Sequence, residues 1–152
     1  MSQLKDRLRT DLTASMKARE RLRSSTLRML LTAVTNAEVA GKSQRELSDE
    51  DLVAVLSTEA KRRREAAAAY DKAGRADSAA KERAESDIIA GYLPEQLGED
   101  ELVALVSSTI ASLGVADEGM RAMGRVMGTL QPQVQGRADG SAVAAEVRRQ
   151  LA

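Results

Sequence analysis

Apolar residues recur along the chain three and four positions apart, with charged and small residues between them, and this rhythm predicts helices from end to end. Leu4, Leu8, Leu12 and Met16 form one narrow stripe; Leu22, Thr26, Leu30, Ala33 and Ala37 continue it in a second helix ending near Gly41. The charged stretch from Lys17 to Arg23 separates the two and predicts a turn. Ser48, followed by Asp49, Glu50 and Asp51, reads as an N-cap with acids in the first turn, where the helix dipole favours them. The long third helix that follows carries Leu52, Leu56, Ala60, Arg63, Ala67 and Tyr70 on its inner stripe. It stops at Gly74, a residue suited to the left-handed conformation just past a helix end. A fourth helix fits residues 77–91, with Ile88, Ile89, Tyr92 and Leu93 as a hydrophobic knot before Pro94.

Pro94 pushes Leu93 out of helical geometry, so a boundary is expected there, dividing the chain into residues 1–93 and 94–152. Beyond it, Glu99, Asp100 and Glu101 open a fifth helix whose apolar face is Leu102, Val106, Ile110 and Leu113, closed by Gly114. The sixth carries Met120, Met123, Met127 and Leu130 on one face, and Pro132 is expected to end it. The last carries Val143, Val147 and Leu151 behind Asp139, which is placed to cap it. Gly124 and Gly128 stand one turn apart inside the sixth helix, and each costs about 1 kcal/mol against alanine. Their spacing suggests a close approach by a neighbouring helix or by a partner's backbone. The expected fold is all-α: an N-terminal helical domain of about four helices, then a small three-helix tail domain.

Composition narrows the chemistry. Phe and Trp are absent and Tyr70 and Tyr92 are the only rings, so any core is built from Leu, Val, Ile, Met and Ala. Cysteine and histidine are absent as well, which removes disulfides, thiolate nucleophiles, the usual zinc ligands and the commonest general base near neutral pH. No glycine-rich loop leads into Lys-Ser or Lys-Thr, and the carboxylates fall at caps and on polar faces. No catalytic residue, metal site or cofactor is therefore expected. A charged N-terminus, and no apolar run near the roughly 20 residues of a membrane span, predict a soluble, cytoplasmic protein without a membrane partner.

Charge is balanced overall, with 23 basic and 23 acidic side chains, but it is unevenly placed. Through Arg28, eight cations face only Asp6, Asp11 and Glu20, and Arg19, Arg21, Arg23 and Arg28 form a basic edge that reads either as an ordinary solvated helix face or as a surface able to meet phosphate. From Gly91 onward acids outnumber bases by eight to five. The run Lys61-Arg62-Arg63-Arg64 points in four directions on its helix, and with Glu59 and Glu65 beside it reads as a salt-bridged face. In the tail, Arg137 stands beside the free amides that open the last helix. These can hold a phosphate oxygen, in competition with a capping Asp139.

Gly91-Tyr92-Leu93-Pro94-Glu95-Gln96-Leu97, Met123-Gly124-Arg125-Val126-Met127-Gly128 and Gly136-Arg137-Ala138-Asp139-Gly140 together resemble the YqeY family. Leu27-Arg28-Met29-Leu30 and Lys72-Ala73-Gly74-Arg75 fit the same likeness, which covers essentially the whole chain. The family is grouped with GatB, the tRNA-handling subunit of the glutamine-dependent aminoacyl-tRNA amidotransferase, through GatB's C-terminal tail. The resemblance implies a two-part helical protein whose tail contacts tRNA, with tRNA, an aminoacyl-tRNA-handling complex or a protein as partner. The grouping also implies carbon-nitrogen ligation with glutamine as amido-N-donor. The residues favour a non-catalytic tRNA-binding or accessory module; the alternatives are a component with that ligase activity and a helical protein-interaction adaptor. Candidate nucleic-acid contacts are Gly124, Arg125, Gly128 and Arg137 in the tail, with Arg19, Arg21, Arg23 and Arg28 at the N-terminal edge. Gln133 and Gln135 stand where family members often carry lysine, which shifts the expected phosphate contacts towards the N-terminal arginines.

Overall fold

In the computed structural model, which describes residues 2–152, all regular structure is helical. The chain divides into two compact units, the first ending at Leu93 and the second beginning at Pro94. In the first, α1 (Gln3–Lys17) starts at Ser2, whose Oγ accepts the Lys5 N–H at 3.0 Å. It ends in a tight reversal: the Glu20 N–H donates to the Ser15 carbonyl at 3.0 Å and the Arg19 N–H to the Met16 carbonyl at 3.1 Å. These paired bonds satisfy terminal helix carbonyls and require a left-handed residue between them. Here that residue is Arg19, with φ 58°, the one non-glycine residue with positive φ among those described. Its Cβ is crowded by the following carbonyl, at a cost of about 1–2 kcal/mol.

The same pair of bonds ends two other helices. In α3 (Asp49–Lys72) Arg75 donates to Tyr70 at 2.8 Å and Gly74 to Asp71 at 3.1 Å. In α5 (Glu99–Leu113) Val115 donates to Ile110 at 3.4 Å and Gly114 to Ala111 at 3.1 Å. Both have glycine in the left-handed place, Gly74 at φ 72° and Gly114 at φ 66°.

Between the reversals, α2 (Arg21–Glu38) turns Leu27, Leu30 and Val34 inward. A reciprocal cap opens α3, with Asp51 N–H on Ser48 Oγ at 3.1 Å and Ser48 N–H on the Asp51 carboxylate at 3.2 Å. The bond from the Ser48 backbone, more than any other contact, holds the Asp51 carboxyl below its ordinary value. The α3 helix pairs with α4 (Ala76–Ala90), and Leu8, Leu27, Leu30, Leu56, Ala60, Ile89 and Tyr92 close the main core. Met16, expected on the inner stripe, is 43% exposed, because the last turn of α1 runs beyond that core.

Two polar anchors sit among these aliphatic side chains. Arg63 takes its expected place on the inner stripe of α3, and its guanidinium lies 3.3 Å from Glu59, 3.3 Å from Glu85 and 3.8 Å from Glu82. It also touches the Met29 sulfur. Arg62 pairs with Glu59 at 3.1 Å, so two of the four cations of the basic run, Arg62 and Arg63, sit against glutamates. The Tyr92 hydroxyl donates to Asp11 at 2.5 Å, and the Arg7 guanidinium lies 4.5 Å from the ring centroid. Burial, reinforced by the hydrogen bond to the Asp11 carboxylate and its charge, pushes the Tyr92 phenol up to about 12.

The second unit comprises α5, a 3₁₀ segment (Ala116–Ala122), α6 (Met123–Val134) and α7 (Gly140–Leu151) around Val106, Ile110, Val126, Leu130, Val143 and Val147. Three expectations are corrected in it. Gly119, at φ 61° and ψ −146°, breaks the run ahead of α6, leaving Met120 half exposed. Met123 and Met127 only flank a core centred on Val126, Leu130 and Val134. Pro132 does not end α6, which continues to Val134. The one bond it removes would have gone to the carbonyl of Gly128, an exposed residue whose oxygen water can reach. Asp139 occupies the N-cap position in extended geometry, yet its side chain makes no capping bond to the amides of α7.

The two anchors are separately testable. Arg63→Met leaves three glutamates around an uncharged side chain and is expected to lower the urea stability of the N-terminal unit by about 2–4 kcal/mol, somewhat less than for a fully buried network. Tyr92→Phe removes a bond to a charged acceptor and is expected to cost about 1.5–3 kcal/mol near neutrality. Because folding raises the Tyr92 phenol from 10.0 to about 12, this contribution is intact below about pH 10 and is lost as pH rises through about 12. Urea midpoints followed by circular dichroism at pH 9 and pH 11.5 should therefore fall more for the wild type than for Tyr92→Phe.

Candidate nucleic-acid interface

Arg21, Ser24, Ser25 and Arg28 follow i, i+3, i+4, i+7 spacing and lie along one side of α2. The left-handed turn adds Arg19 to this side, and the exposed end of α1 adds Met16. The six residues line an open groove of about 640 Å³ that contains three guanidinium groups and no carboxylate. Among the described residues Arg19 and Arg21 form no ion pair. Arg28 donates to the Met16 sulfur at 2.9 Å, a neutral and weak acceptor that leaves its charge uncompensated.

The wall is held from beneath. Ser15 Oγ donates to the Leu12 carbonyl at 2.9 Å, so the buried 2.9 Å contact between Ser15 and Ser24 uses the Ser24 proton and ties α2 to α1. Ser25 Oγ donates to the Leu22 carbonyl at 3.0 Å on the exposed side. Four other grooves include acidic residues: Asp71 and Asp87 beside Arg64 and Arg83, Glu46 and Asp49 beside Ser48, Glu38 and Glu46 beside Lys5 and Arg45, and Glu59 beside Arg62.

The remaining candidates are placed differently. Arg23 lies outside the groove lining and pairs with Glu20 at 3.4 Å. In the tail, Arg125 is exposed and paired with Glu118 at 2.8 Å. The Arg137 guanidinium is occupied by main-chain oxygens: Nε donates to Glu95 at 2.9 Å and Nη1 to Gln133 at 3.4 Å. Its own carbonyl accepts the Leu97 N–H at 2.9 Å, and Gln96 donates to the Gly136 carbonyl at 2.7 Å, so Arg137 joins residues 94–97 to the loop after α6. The expected crowding of Gly124 and Gly128 by a neighbouring helix is not found. A Cβ placed on either meets nothing within 4 Å, and both lie on the exposed side of α6.

Met16 falls on the apolar stripe of the first helix and Ser24 and Ser25 are not among the sequence candidates, so three of the six groove residues were not expected there. The i, i+3, i+4, i+7 pattern from Arg21 to Arg28 was the available signal for the serines. Met16 joins only because α1 outruns the core. No group of three or more residues suited to a metal ion occurs among the described residues.

A family profile described as Yqey-like protein matches residues 5–151. The chain belongs to the YqeY family. A relative from Pyrenophora tritici-repentis, named altered inheritance of mitochondria protein 41, mitochondrial, is 30% identical over 134 residues, covering 87% of this chain and 71% of that one. An uncharacterised protein of Schizosaccharomyces pombe is 35% identical over 89 residues, or 58% of this chain and 70% of the relative. The cationic groove of this YqeY chain lies wholly inside the stretch the family profile covers. No single helix among the described residues is long and apolar enough to cross a membrane.

The open face of α6 gives a direct prediction. Gly124→Ala and Gly128→Ala each add helix propensity without steric cost, so each is expected to stabilise the protein by about 0.5–1 kcal/mol. Urea unfolding of the two variants would show a loss instead if something presses on that face.

Proposed function

We propose that this YqeY-family chain is a non-catalytic accessory module that binds RNA, with tRNA as its partner and glutamine-dependent aminoacyl-tRNA amidation as its setting. The amidation setting rests on the sequence resemblance of the tail to that of GatB. The observation that carries the binding reading is the groove of Arg19, Arg21 and Arg28, three positive groups without a carboxylate among its lining residues. Phosphate contacts supply most sequence-independent affinity for nucleic acid, and arginine matches phosphate oxygens with two parallel donors. Arg125 contributes less in this reading, since Glu118 already offsets it, and Arg137 serves mainly to hold the tail's own backbone.

Gel-shift titration of the full chain with bulk tRNA across a salt series tests this. Three neutralised phosphates give a slope of log affinity against log salt of about −2 to −3. The triple variant Arg19→Gln, Arg21→Gln, Arg28→Gln should lose the shift while Arg125→Gln retains most of it. A folded wild type that shifts no tRNA at low salt overturns the proposal, and binding to anionic vesicles in its place would assign the groove to a membrane surface.

A further inference from the structure

We infer that Arg19 is kept in its left-handed conformation for the sake of a ligand, and that the groove it completes reads the phosphodiester backbone of RNA and not the bases. This rests on the RNA reading above and adds to it the contact and the part of the RNA engaged.

The chain contains its own comparison. Three helices end with the same paired hydrogen bonds, and at two of them the left-handed residue is glycine, Gly74 and Gly114. Only at the end of α1 is it a side chain that this backbone disfavours, Arg19 at φ 58°. The Arg19 N–H serves the turn as a glycine N–H would, but its guanidinium forms no hydrogen bond or ion pair among the described residues to offset the strain. Its side chain instead lines the groove beside Arg21 and Arg28. Strain that a glycine would spare the fold is a mark of a functional position, and a guanidinium without a side-chain partner beside two others calls for a multiply charged oxyanion.

The composition of the groove selects among the parts of an RNA. No tyrosine lines it, and the chain has no tryptophan or phenylalanine, so bases find no ring to stack on. Ser24 Oγ is engaged with Ser15 and Ser25 Oγ with the Leu22 carbonyl, so neither proton is offered to a base edge. What remains is three guanidinium groups, for which every nucleotide offers phosphate oxygens whatever its base.

Two substitutions separate the backbone from the charge. Arg19→Gly relieves the conformation and removes the cation; Arg19→Lys keeps both the strain and the charge. The expected result for Arg19→Gly is a melting midpoint a few degrees above wild type, a roughly tenfold lower affinity for tRNA and a salt slope shallower by about one. Arg19→Lys should keep the wild-type slope with no gain in melting midpoint. Poly(A) and poly(U) should bind the wild type within about threefold of each other. Arg19→Gly that is no more stable than wild type, or that binds tRNA with unchanged affinity and slope, overturns the inference and leaves the RNA reading standing. So does a strong preference between the two homopolymers. A wild type that binds none of these RNAs removes both.

Discussion

The reversal at Ala18–Glu20 is the constraint on which the N-terminal unit depends. Two backbone hydrogen bonds close it, and they start α2 with Leu27, Leu30 and Val34 facing the core and Arg21, Ser24, Ser25 and Arg28 on the groove side. The Ser15–Ser24 contact then ties the two helices just beyond the turn. Core and groove are thus two faces of a single local decision about chain direction. That the decision is made with arginine in the left-handed place links the stability of this unit to the charge it displays.

A core without phenylalanine or tryptophan leaves other groups to define its geometry. Arg63 meets glutamates from α3 and from α4, and a network desolvated this far tolerates little sliding of one helix along the other. Tyr92 works similarly, its ring packing in the core of the first unit while its hydroxyl reaches Asp11 on α1. In the tail, Arg137 does comparable work through main-chain carbonyls. The arginines of this chain therefore divide between architecture and display, and an oxygen acceptor at hydrogen-bond distance is what tells the first from the second.

Much of the fold is legible in the sequence because its punctuation is local. Ser48 with Asp51, Gly74 and Gly114 mark helix ends through interactions spanning only a few residues, and the structure places the ends there. The failures arise where geometry is set at longer range or where one residue type serves two ends. Pro132 is absorbed because it costs a single bond near a helix terminus, and Asp139 holds a cap position without making the cap. Met120 was assigned to α6 by spacing alone, and the backbone break at Gly119 invalidates that spacing. The groove was half legible: the arginines stand out, whereas the exposure of Met16 depends on how far α1 extends past its core. The conformation of Arg19 could not be read at all, since no propensity rule assigns an arginine to a position that favours glycine.

Both rings of the protein, Tyr70 and Tyr92, belong to the first unit, and the second contains no aromatic residue at all. Near-ultraviolet absorbance and intrinsic fluorescence thus report on the first unit alone, while far-ultraviolet circular dichroism registers helix in both. A native optical label of this kind lets the melting of one half be followed in the presence of the other, without isotopes, dyes or an introduced tryptophan.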